Sequence, residues 1–423
     1  MIEIEKENVV VIVRVDDYHP QNIKNGLERI FELLNPSFIN NNLKEKSILL
    51  KPSLLAHTKN TFTNEVVVEQ IATILQEKGA KRILIGDSTM TKSITAMAHR
   101  KSGMLRVAGK FGHPMINFFE EEYFPIYHTS FKADSIIQIP KVVVDSDIII
   151  NIPKMKTHNG YIFTGAIKNF FGLLKDKLDK HRIFKDKTKF QQMLGDIHQA
   201  VLSTGHNGQT KPVFHIMDGI IGMEGKGPRS GNLRSFNCLI ASFSPAALDA
   251  VAFTLMGGNP QDLETIRSLS ERNSWPVLFE KLNIIGDDWK DFRQKVKIPS
   301  LKNLKSSITT GSFIERISTK LLSKMNPILI IDKKKCIQCM VCASHCPVQA
   351  IERDEKISTV FINYKNCIKC FCCGESCAKD AIKVRKPLKR ILLYMSLILV
   401  LTISIWFIWP LIVDLITLIV NLI

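Results

Sequence analysis

The sequence lacks the short motifs that mark several large enzyme classes. It contains no Walker phosphate-binding loop, no Gly-x-Ser-x-Gly elbow and no Cys/His protease pair. The glycines Gly222, Gly225 and Gly227 do not form a dinucleotide fingerprint, because the order of turn and helix around them is wrong. These absences argue against a P-loop nucleotide hydrolase, a serine or cysteine hydrolase and a nicotinamide-dependent dehydrogenase.

Acidic residues are scarce relative to basic ones. The chain has 40 Asp and Glu against 57 Lys and Arg, which gives a formal net charge of +17. Such a surplus favours an acidic surface or an anionic ligand as partner. The lysines are spread over the whole chain rather than gathered on one stripe, and no nucleic-acid-binding motif is present. The sequence therefore argues against nucleic acid as a partner.

A basic-then-apolar leader is also missing from the first residues, which read Met1-Ile2-Glu3-Ile4. We therefore expect the body of the protein to be kept in the cytoplasm, where reducing conditions suit free thiols.

Long uncharged runs are absent except near the C-terminus. From Ile391 to Trp409, 19 consecutive residues carry no charge, and a basic group including Lys389 and Arg390 precedes them. This length is close to that of a membrane span, and Trp406 lies where an aromatic belt would be placed. The pattern predicts a single-pass transmembrane helix that anchors the chain in membrane lipid, with the other domains on the cytoplasmic side of the cell membrane. A buried core helix is the alternative.

Cysteine is nearly absent from the first 335 residues, where only Cys238 occurs. Eight of the nine later cysteines write Cys-x-x-Cys-x-x-Cys-x-x-x-Cys twice, with each position offset by 31 residues. This is the spacing of a bacterial-type two-cluster ferredoxin, in which the fourth thiolate of each run binds the other cluster. One 4Fe-4S cluster is therefore assigned to Cys336, Cys339, Cys342 and Cys377. The second 4Fe-4S cluster is assigned to Cys346, Cys367, Cys370 and Cys373.

The flanks of the two cysteine runs repeat as well, which predicts a duplicated βαβ-like half with pseudo-two-fold symmetry. Zinc sites and disulfides are the alternatives, but zinc sites use cysteines in two pairs and disulfides require an oxidising compartment. Cys372 is a spare thiol that either packs, which we favour, or substitutes for a ligand. Cys238 lies in an apolar run and is predicted to be buried.

Short β-rich runs alternate with helical stretches over the first three quarters of the chain, which predicts an α/β fold with a mainly parallel sheet and flanking helices. The predicted strands are 47–50, 81–86, 142–152, 213–217 and 236–242, and the predicted helices include 64–78 and 245–255. A Gly-rich loop is predicted after Asp218. The predicted domains are an α/β domain over 1–325, with closing helices and a linker from about 266, a small α+β ferredoxin-like module over 326–387 and the membrane anchor over 388–423.

Charged side chains follow directly after several of these strands. Ligands of parallel α/β sheets bind at the carboxyl ends of the strands, so we expect these side chains to converge on one crevice. The alternative is that each charge only caps its own strand or loop. The lysines Lys51, Lys154 and Lys156 suit a small anionic ligand. His158 is predicted to transfer protons, with Asp87 or Asp218 orienting it or binding a cation, and Glu224 is a further acid–base or ligand-binding candidate.

Several of these stretches resemble the domain of unknown function 362 family over residues 8–265. The matching stretches are Leu49-Leu50-Lys51-Pro52-Ser53, Ile85-Gly86-Asp87-Ser88, Ile152-Pro153-Lys154-Met155-Lys156-Thr157-His158, Gly165-Ala166-Ile167-Lys168-Asn169, Asp218-Gly219-Ile220-Ile221-Gly222 and Ser244-Pro245-Ala246-Ala247-Leu248-Asp249. The family usually has Asn where this chain has Ser53, and its members often carry a ferredoxin module. The resemblance implies a fold and candidate positions rather than a reaction, and it adds Lys168, Asn169 and Asp249 to the predicted ligand-binding residues.

The combined prediction is a membrane-anchored iron–sulfur protein. It passes single electrons through two 4Fe-4S clusters, between a redox partner protein and an α/β domain that binds a small anionic ligand. The identity of any additional metal or anionic cofactor is left open. Two alternatives remain: an electron-transfer or assembly subunit without catalysis of its own, and a non-redox acid–base or metal-dependent enzyme whose clusters are structural or sensing.

Overall fold

The computed structural model describes residues 8–36, 43–55, 61–273, 279–299, 328–354 and 359–385, with a few separate helical positions between 396 and 416. The strands of the first domain are β1 (Val9–Arg14), β2 (Ser47–Pro52), β3 (Arg82–Ile85), β4 (Tyr123–Ile126), β5 (Ile137–Pro140), β6 (Ile148–Ile152), β7 (Lys154–His158), β8 (Ile162–Thr164), β9 (Val213–Glu224), β10 (Asn232–Ser242) and β11 (Asn283–Gly286). Its helices are α1 (Pro20–Leu34), α2 (Glu65–Glu77), α3 (Lys92–Lys101), α4 (Met104–Lys110), α5 (Lys141–Asp145), α6 (Ala166–Asn169), α7 (Lys177–Ile183), α8 (Lys187–Leu202), α9 (Pro245–Leu255) and α10 (Glu264–Asn273).

A nine-stranded sheet forms the centre of this domain. Seven strands follow the order β11-β1-β10-β9-β6-β2-β3, and β7 pairs with β9 and with β8. The pairs β1–β11, β2–β3, β2–β6, β6–β9 and β7–β9 are parallel, whereas β1–β10, β9–β10 and β7–β8 are antiparallel. The predicted α/β architecture with a mainly parallel sheet is therefore confirmed.

Alternating side chains of each strand face two separate apolar layers. On β2, Ile48 and Leu50 belong to a cluster that also contains buried residues of α1 and α2. Leu49 between them belongs to the cluster formed with α8 and α9 on the opposite face. Because successive side chains of a strand point to opposite faces, runs that are apolar at every position are buried on both sides. The domain is therefore a three-layer sandwich with helices on both faces of the sheet.

Helix α2 begins at a polar junction. The side chain of Asn64 accepts a hydrogen bond from the backbone N–H of Val66, at 2.9 Å, and caps the helix. The backbone N–H of Asn64 donates to a carboxylate oxygen of Asp218, also at 2.9 Å. The same residue thus ends the preceding loop, starts the helix and ties this end of the helix to β9.

Strand β9 is longer than the sequence predicts and replaces the expected Gly-rich loop. It continues through Glu224, with Gly219 and Gly222 inside it. A Cβ atom on Gly222 would lie 2.9 Å from the carbonyl oxygen of Met155. These glycines therefore permit close approach of β7, which is a known use of glycine within strands. The edge strand β11, which pairs with β1, was also not predicted.

The predicted membrane anchor is contradicted. Within the residues that the structure describes, no helix has the length and apolar character needed to cross a bilayer. Most of 388–423 lies outside the described residues. A span requires about 20 consecutive helical residues, and an uncharged run in the sequence does not by itself supply them. The transmembrane helix, and the location at the cell membrane with domains in the cytoplasm that was inferred from it, are withdrawn.

Candidate functional site

The cysteine-rich module is an internal repeat in its backbone as well as in its sequence. It consists of β12 (Ile328–Ile331), α11 (Val341–Ser344), β13 (Ile351–Asp354), β14 (Thr359–Ile362), α12 (Cys372–Ser376) and β15 (Ile382–Arg385), and each element of the second half starts 31 residues after its counterpart. β12 pairs with β15, and β13 pairs with β14, both antiparallel. Each half is thus a β-α-β unit, and the strands that begin and end the module close on each other.

Left-handed backbone positions repeat with the same offset. Gln338, Met340 and Gln349 have positive φ in the first half, and Lys369, Phe371 and Asp380 have it in the second. The two cysteine loops therefore have left-handed backbone at equivalent positions, which extends the internal repeat to the backbone conformation.

The thiols fall into the two sets assigned from the sequence. Cys336, Cys339, Cys342 and Cys377 line one pocket. The thiol of Cys373 is within electrostatic range of those of Cys367, Cys370 and Cys346, and Cys342 of the first set is also near it. The fourth cysteine of each run thus lies with the three cysteines of the other run, as the two-cluster arrangement requires.

Backbone amides support this donor set. The N–H of Ala350 donates to the sulfur of Cys346, at 3.1 Å, and the N–H of Ala381 donates to the sulfur of Cys377, at 3.3 Å. Hydrogen bonds to ligating sulfurs are a feature by which proteins adjust iron–sulfur clusters. In the described ranges, no three or more His, Cys, Asp or Glu side chains are gathered around a single metal ion. The two thiol sets, each with three cysteines of one run and one of the other, fit 4Fe-4S clusters.

Two of the predicted lysines form buried ion pairs in the first domain. The ammonium of Lys51, near the end of β2, lies 2.6 Å from Asp87, after β3. The ammonium of Lys154 lies 2.7 Å from Asp218 and donates to the hydroxyl of Tyr18, which in turn donates to the other oxygen of Asp218. Both pairs are fully buried. Their charges are neutralised within the protein, which is how a buried charge is ordinarily stabilised.

Lys156 forms no ion pair with a carboxylate in the described part of the chain. Its ammonium donates to the hydroxyl of Ser53, at 3.2 Å, and to the carbonyl oxygen of Thr61, at 2.7 Å. Burial, followed by repulsion from Lys154 and Lys168, lowers the pKa of Lys156 to about 7. Ser53 therefore takes part in the site with its hydroxyl, at the position where the sequence departs from the family pattern.

His158 is buried at the end of β7, and its ring nitrogens differ in how well they are paired. Its Nδ1 atom accepts from the backbone N–H of Gly160, at 3.0 Å, and of Tyr161, at 3.3 Å. Burial, followed by the nearby charge of Lys168, lowers its pKa to about 4, so the ring is neutral at pH 7. A neutral ring whose Nδ1 accepts must carry its proton on Nε2. Among the described residues, that Nε2–H has no hydrogen bond of ordinary length, but the nearby carboxylate of Glu375 acts on it and partly opposes the fall in pKa.

The Nε2 atom of His158 faces the cysteine-rich module. It lies 3.5 Å from Oε1 of Glu375, on α12. This is longer than a N–H···O hydrogen bond of about 2.7–3.2 Å, so the contact is electrostatic. Lys168 lies on the same side, with its ammonium 5.7 Å from the ring centroids of both Tyr161 and Phe171. The two domains therefore meet at His158 and Lys168.

Asn169 and Asp249 hold the backbone around Lys168. The carboxylate of Asp249 accepts from the N–H of Ala166, at 2.6 Å, and of Ile167, at 3.1 Å, at the start of α6. The side-chain amide of Asn169 donates to Asn151, at 2.7 Å. Burial raises the pKa of Asp249 to about 7, although the two N–H donors act against the rise. These two predicted residues are supports of the site rather than free binding groups.

Glu224 is not brought to this meeting point. Its carboxylate accepts from the backbone N–H of Lys297, at 2.9 Å, and lies 3.6 Å from Arg234. It joins the end of β9 to a later segment. The remaining predicted residues thus divide into two buried ion pairs, one unpaired buried lysine and the His158–Lys168 contact with the module.

Family comparisons agree with this two-part organisation. The model of the domain of unknown function (DUF362) matches residues 48–254, and that of a 4Fe-4S dicluster domain matches residues 328–378. The chain carries a DUF362 domain and a 4Fe-4S dicluster domain. The resemblance found in the sequence is thereby confirmed.

Two individual proteins are similar to this chain. The thylakoid-associated protein sll1697 of Synechocystis is 28% identical over 256 residues, which cover 57% of this chain and 75% of that protein. A crystal structure of a Thermotoga maritima protein aligns with a TM-score of 0.34 and 13% identity, over 65% of this chain and 62% of that one. The structural likeness is too small to support an argument.

Several residues of the contact were not predicted from the sequence. Glu375 could not be predicted, because its contact with His158 exists only when the module docks on the first domain. Tyr161 and His181 form an aromatic group with Phe190, whose ring stacks on Tyr161 at 4.7 Å and on His181 at 4.5 Å between centroids. Arg229, on the loop between β9 and β10, joins the DUF362 domain to the backbone of α12. In the sequence, Glu375 could be noticed only as a difference between the two halves of the repeat, since Ser344 occupies the equivalent position. The halves differ at several other positions too.

Proposed function

We propose that the protein is an electron-transfer protein in which the dicluster module exchanges single electrons with a site in the DUF362 domain at His158 and Lys168. The 4Fe-4S domain indicates the iron–sulfur electron-transfer role. Under the proposal the two thiol sets hold one 4Fe-4S cluster each, and such clusters store and pass single electrons when bound. The DUF362 domain receives or supplies these electrons and binds a small anion at the same place.

The observation that carries the proposal is the docking of α12 on the DUF362 domain. This helix contains the ligand candidate Cys373, and its Cys372 side chain, 1% exposed, is part of the apolar core of the DUF362 domain. A Cβ atom on Gly160 would lie 3.2 Å from the ring of Phe371, so the backbones approach closely. The second thiol set is therefore next to His158 and Lys168, without solvent between the two domains at Cys372.

Positive charge at the contact would stabilise the reduced state of the adjacent cluster. An ammonium stabilises negative charge added nearby, and it does so more strongly where water is excluded. Lys168 is the lysine that acts electrostatically on Glu375 and Cys372 of α12. Lys51 and Lys154, by contrast, are each paired with a carboxylate of the DUF362 domain. Lys168 makes no hydrogen bond to a described side chain or backbone group. Its part in the proposal is to raise the reduction potential of the adjacent thiol set and to attract an anion.

The first test is a count of clusters in the full chain. Protein purified without oxygen should contain iron and sulfide in the amounts of two 4Fe-4S clusters. The variants Cys336→Ser and Cys367→Ser should each reduce both amounts by half. Zinc in place of iron, or iron for only one cluster, would contradict the proposal.

The second test measures whether the DUF362 domain is electrically coupled to the module. Lys168→Met should lower the reduction potential of only one cluster, the one that loses its signal in Cys367→Ser. Lys335→Met, which removes an exposed ammonium beside the first-half loop, is the matched control and should affect only the other cluster. Equal potentials in the wild-type protein and in Lys168→Met would favour the alternative in which the clusters are structural.

A further inference from the structure

The contact between the two domains contains a donor with a poorly placed acceptor. His158 is 1% exposed, and its Nε2 atom lies 3.5 Å from the carboxylate of Glu375, which is longer than an ordinary hydrogen bond, although the carboxylate still raises the pKa of the ring. A buried polar group that is poorly paired costs free energy, so its retention calls for an explanation. Glu375 thus occupies the acceptor position of a site but lies slightly too far from His158 for a good hydrogen bond.

Positive charge surrounds this place. The ammonium of Lys168 lies over the rings of Tyr161 and Phe171 rather than in an ion pair. Lys156 also acts electrostatically on His158, whereas His181 is neutral because burial lowers its pKa to about 3, and Glu375 is the carboxylate that acts on both histidines. Lys51 and Lys154 are each balanced by their own carboxylate. Lys168 forms no ion pair of this kind, so a ligand with a single negative charge would balance its ammonium.

Glu375 is not required by the cysteine motif. The repeat offset of 31 residues places Ser344 at the equivalent position of the first half. There the hydroxyl of Ser344 donates to the backbone of Val341 in its own helix. At this position of the repeat, a carboxylate therefore occurs only in the half that docks on the DUF362 domain, which connects Glu375 with the docked site and not with cluster binding.

We propose that Glu375 is an internal stand-in for the ligand of the DUF362 domain, and that this ligand is a small monocarboxylate. The ligand carboxylate displaces Glu375, accepts the Nε2–H of His158 and pairs with Lys168. This inference rests on the site of the proposed function and adds the class of its ligand. A single carboxylate balances Lys168, whereas a phosphate dianion would bring a second negative charge without a counterpart.

The displacement also has a structural consequence for the module. Arg229 holds α12 through backbone carbonyls of Gly374 and Glu375, and this attachment does not involve the carboxylate. The helix can therefore stay docked while the side chain of Glu375 turns away. The bound carboxylate then lies directly against the half of the module that carries Cys370 and Cys373.

The experiment uses acetate as the probe and the full chain with its clusters in place. Thermal unfolding is followed with increasing acetate, against chloride at equal ionic strength. Glu375→Gln and Glu375→Ala remove the competing carboxylate, so both should bind acetate at least tenfold more tightly than the wild-type protein. The midpoint of unfolding should rise accordingly, since a ligand that binds only the folded state stabilises it.

Two further variants separate specific binding from a general salt effect. Adding Lys168→Met to Glu375→Gln should abolish the response to acetate. Glu352→Gln, which changes an exposed carboxylate on β13 of the same module, should respond as the wild-type protein does. Glu375→Gln preserves side-chain shape, so it gives the answer even where Glu375→Ala folds poorly.

The outcomes distinguish this inference from the proposed function. Equal acetate affinity in the wild-type protein and in both Glu375 variants, or a response that survives Lys168→Met, overturns the stand-in role of Glu375. Tighter acetate binding with no change in the spectrum or potential of either cluster supports the ligand class but contradicts the electrical coupling. A potential shift in Lys168→Met without any acetate binding leaves the coupling intact and rejects the carboxylate.

Discussion

The guanidinium of Arg229 donates a hydrogen bond to the backbone carbonyl of Gly374, at 3.0 Å, across the boundary between the DUF362 domain and the dicluster module. The same side chain, 4% exposed, reaches the carbonyl of Glu375, at 3.2 Å, and lies 3.5 Å from Asp380. These carbonyls belong to α12, and such carbonyls near a helix end lack partners within the helix. Arg229 satisfies them and fixes the position of α12.

Arg229→Ala should loosen the docking of the module. Hydrogen bonds from a charged donor contribute about 2 kcal/mol each, and their loss leaves buried carbonyls unpaired. Amide hydrogen exchange in 372–376 should therefore become faster, while the iron content stays that of the wild-type protein. Arg234→Ala, which removes a more exposed arginine from β10, is the control and should leave this exchange unchanged. Equal exchange in both variants would show that Arg229 does not hold the module.

Cys372 and Cys370 should respond differently to replacement by alanine. Cys372 is buried in the apolar core of the DUF362 domain, whereas Cys370 lies with the second thiol set. Cys370→Ala should lose the iron of one cluster. Cys372→Ala should keep all the iron and lower the free energy of unfolding by about 1 kcal/mol, because it removes a buried sulfur. Loss of iron in Cys372→Ala would identify Cys372 as a ligand and reject the packing role.

Gly172→Ala should disrupt the buried pair of Lys51 and Asp87. A Cβ atom at Gly172 would lie 2.5 Å from Oδ1 of Asp87 and 2.9 Å from Nζ of Lys51. Separating a buried ion pair is expected to cost on the order of 3 kcal/mol, which urea denaturation would measure. Gly109→Ala is the control, since a Cβ atom at this position of α4 would meet no atom within 4 Å and alanine favours a helix. Equal stabilities of the two variants would show that the space at Gly172 is not limiting.

Stability should rise with pH because of Lys156. Its pKa is about 7 in the folded protein, mainly through burial, whereas an unfolded lysine keeps its proton to about pH 10. Between these values the unfolded state binds more protons, so the free energy of unfolding increases with pH. Lys156→Met should make this rise shallower in denaturation curves recorded from pH 7 to 10. Lys177, whose pKa burial also lowers to about 7, should preserve part of it.

The matched control for this pH series is Lys290→Met, which removes an exposed ammonium. It should give the same slope as the wild-type protein. If the free energy of unfolding of Lys156→Met rose with pH as steeply as that of the wild-type protein, Lys156 would remain charged in the folded state. Its pKa would then not be lowered to about 7.

The strand ends near the site could be predicted because an apolar run stops where a charged side chain begins. Lys51 near the end of β2 and Asp87 after β3 were predicted in this way. Their pairing could not be predicted, since it depends on the strand order that places β2 beside β3. Similarly, Lys154 pairs with Asp218 because β7 lies parallel to β9 with these two residues in register. The sequence therefore indicated free lysines where the fold forms ion pairs.

Other features depended on distant contacts. The glycines of β9 resemble a loop in the sequence, because the close approach of β7 that requires them is not visible there. Glu375 and Arg229 acquire a role only when the module docks. The C-terminal apolar run was interpreted from hydropathy alone, and the predicted transmembrane helix is contradicted for the described part of the chain.

Duplication would ordinarily leave the two halves of the module interchangeable, but docking gives them different surroundings. Cys339 of the first half is exposed, and Ile337 beside it is 59% exposed, whereas Cys372 and Cys373 of the second half are buried. Lys333, Lys334 and Lys335 are also exposed on the first half. Under the proposed function, a redox protein with an acidic surface would therefore approach the module on that side. Burial, rather than any difference between the two cysteine motifs, would then decide which half exchanges electrons with an outside protein and which half exchanges them with the DUF362 domain.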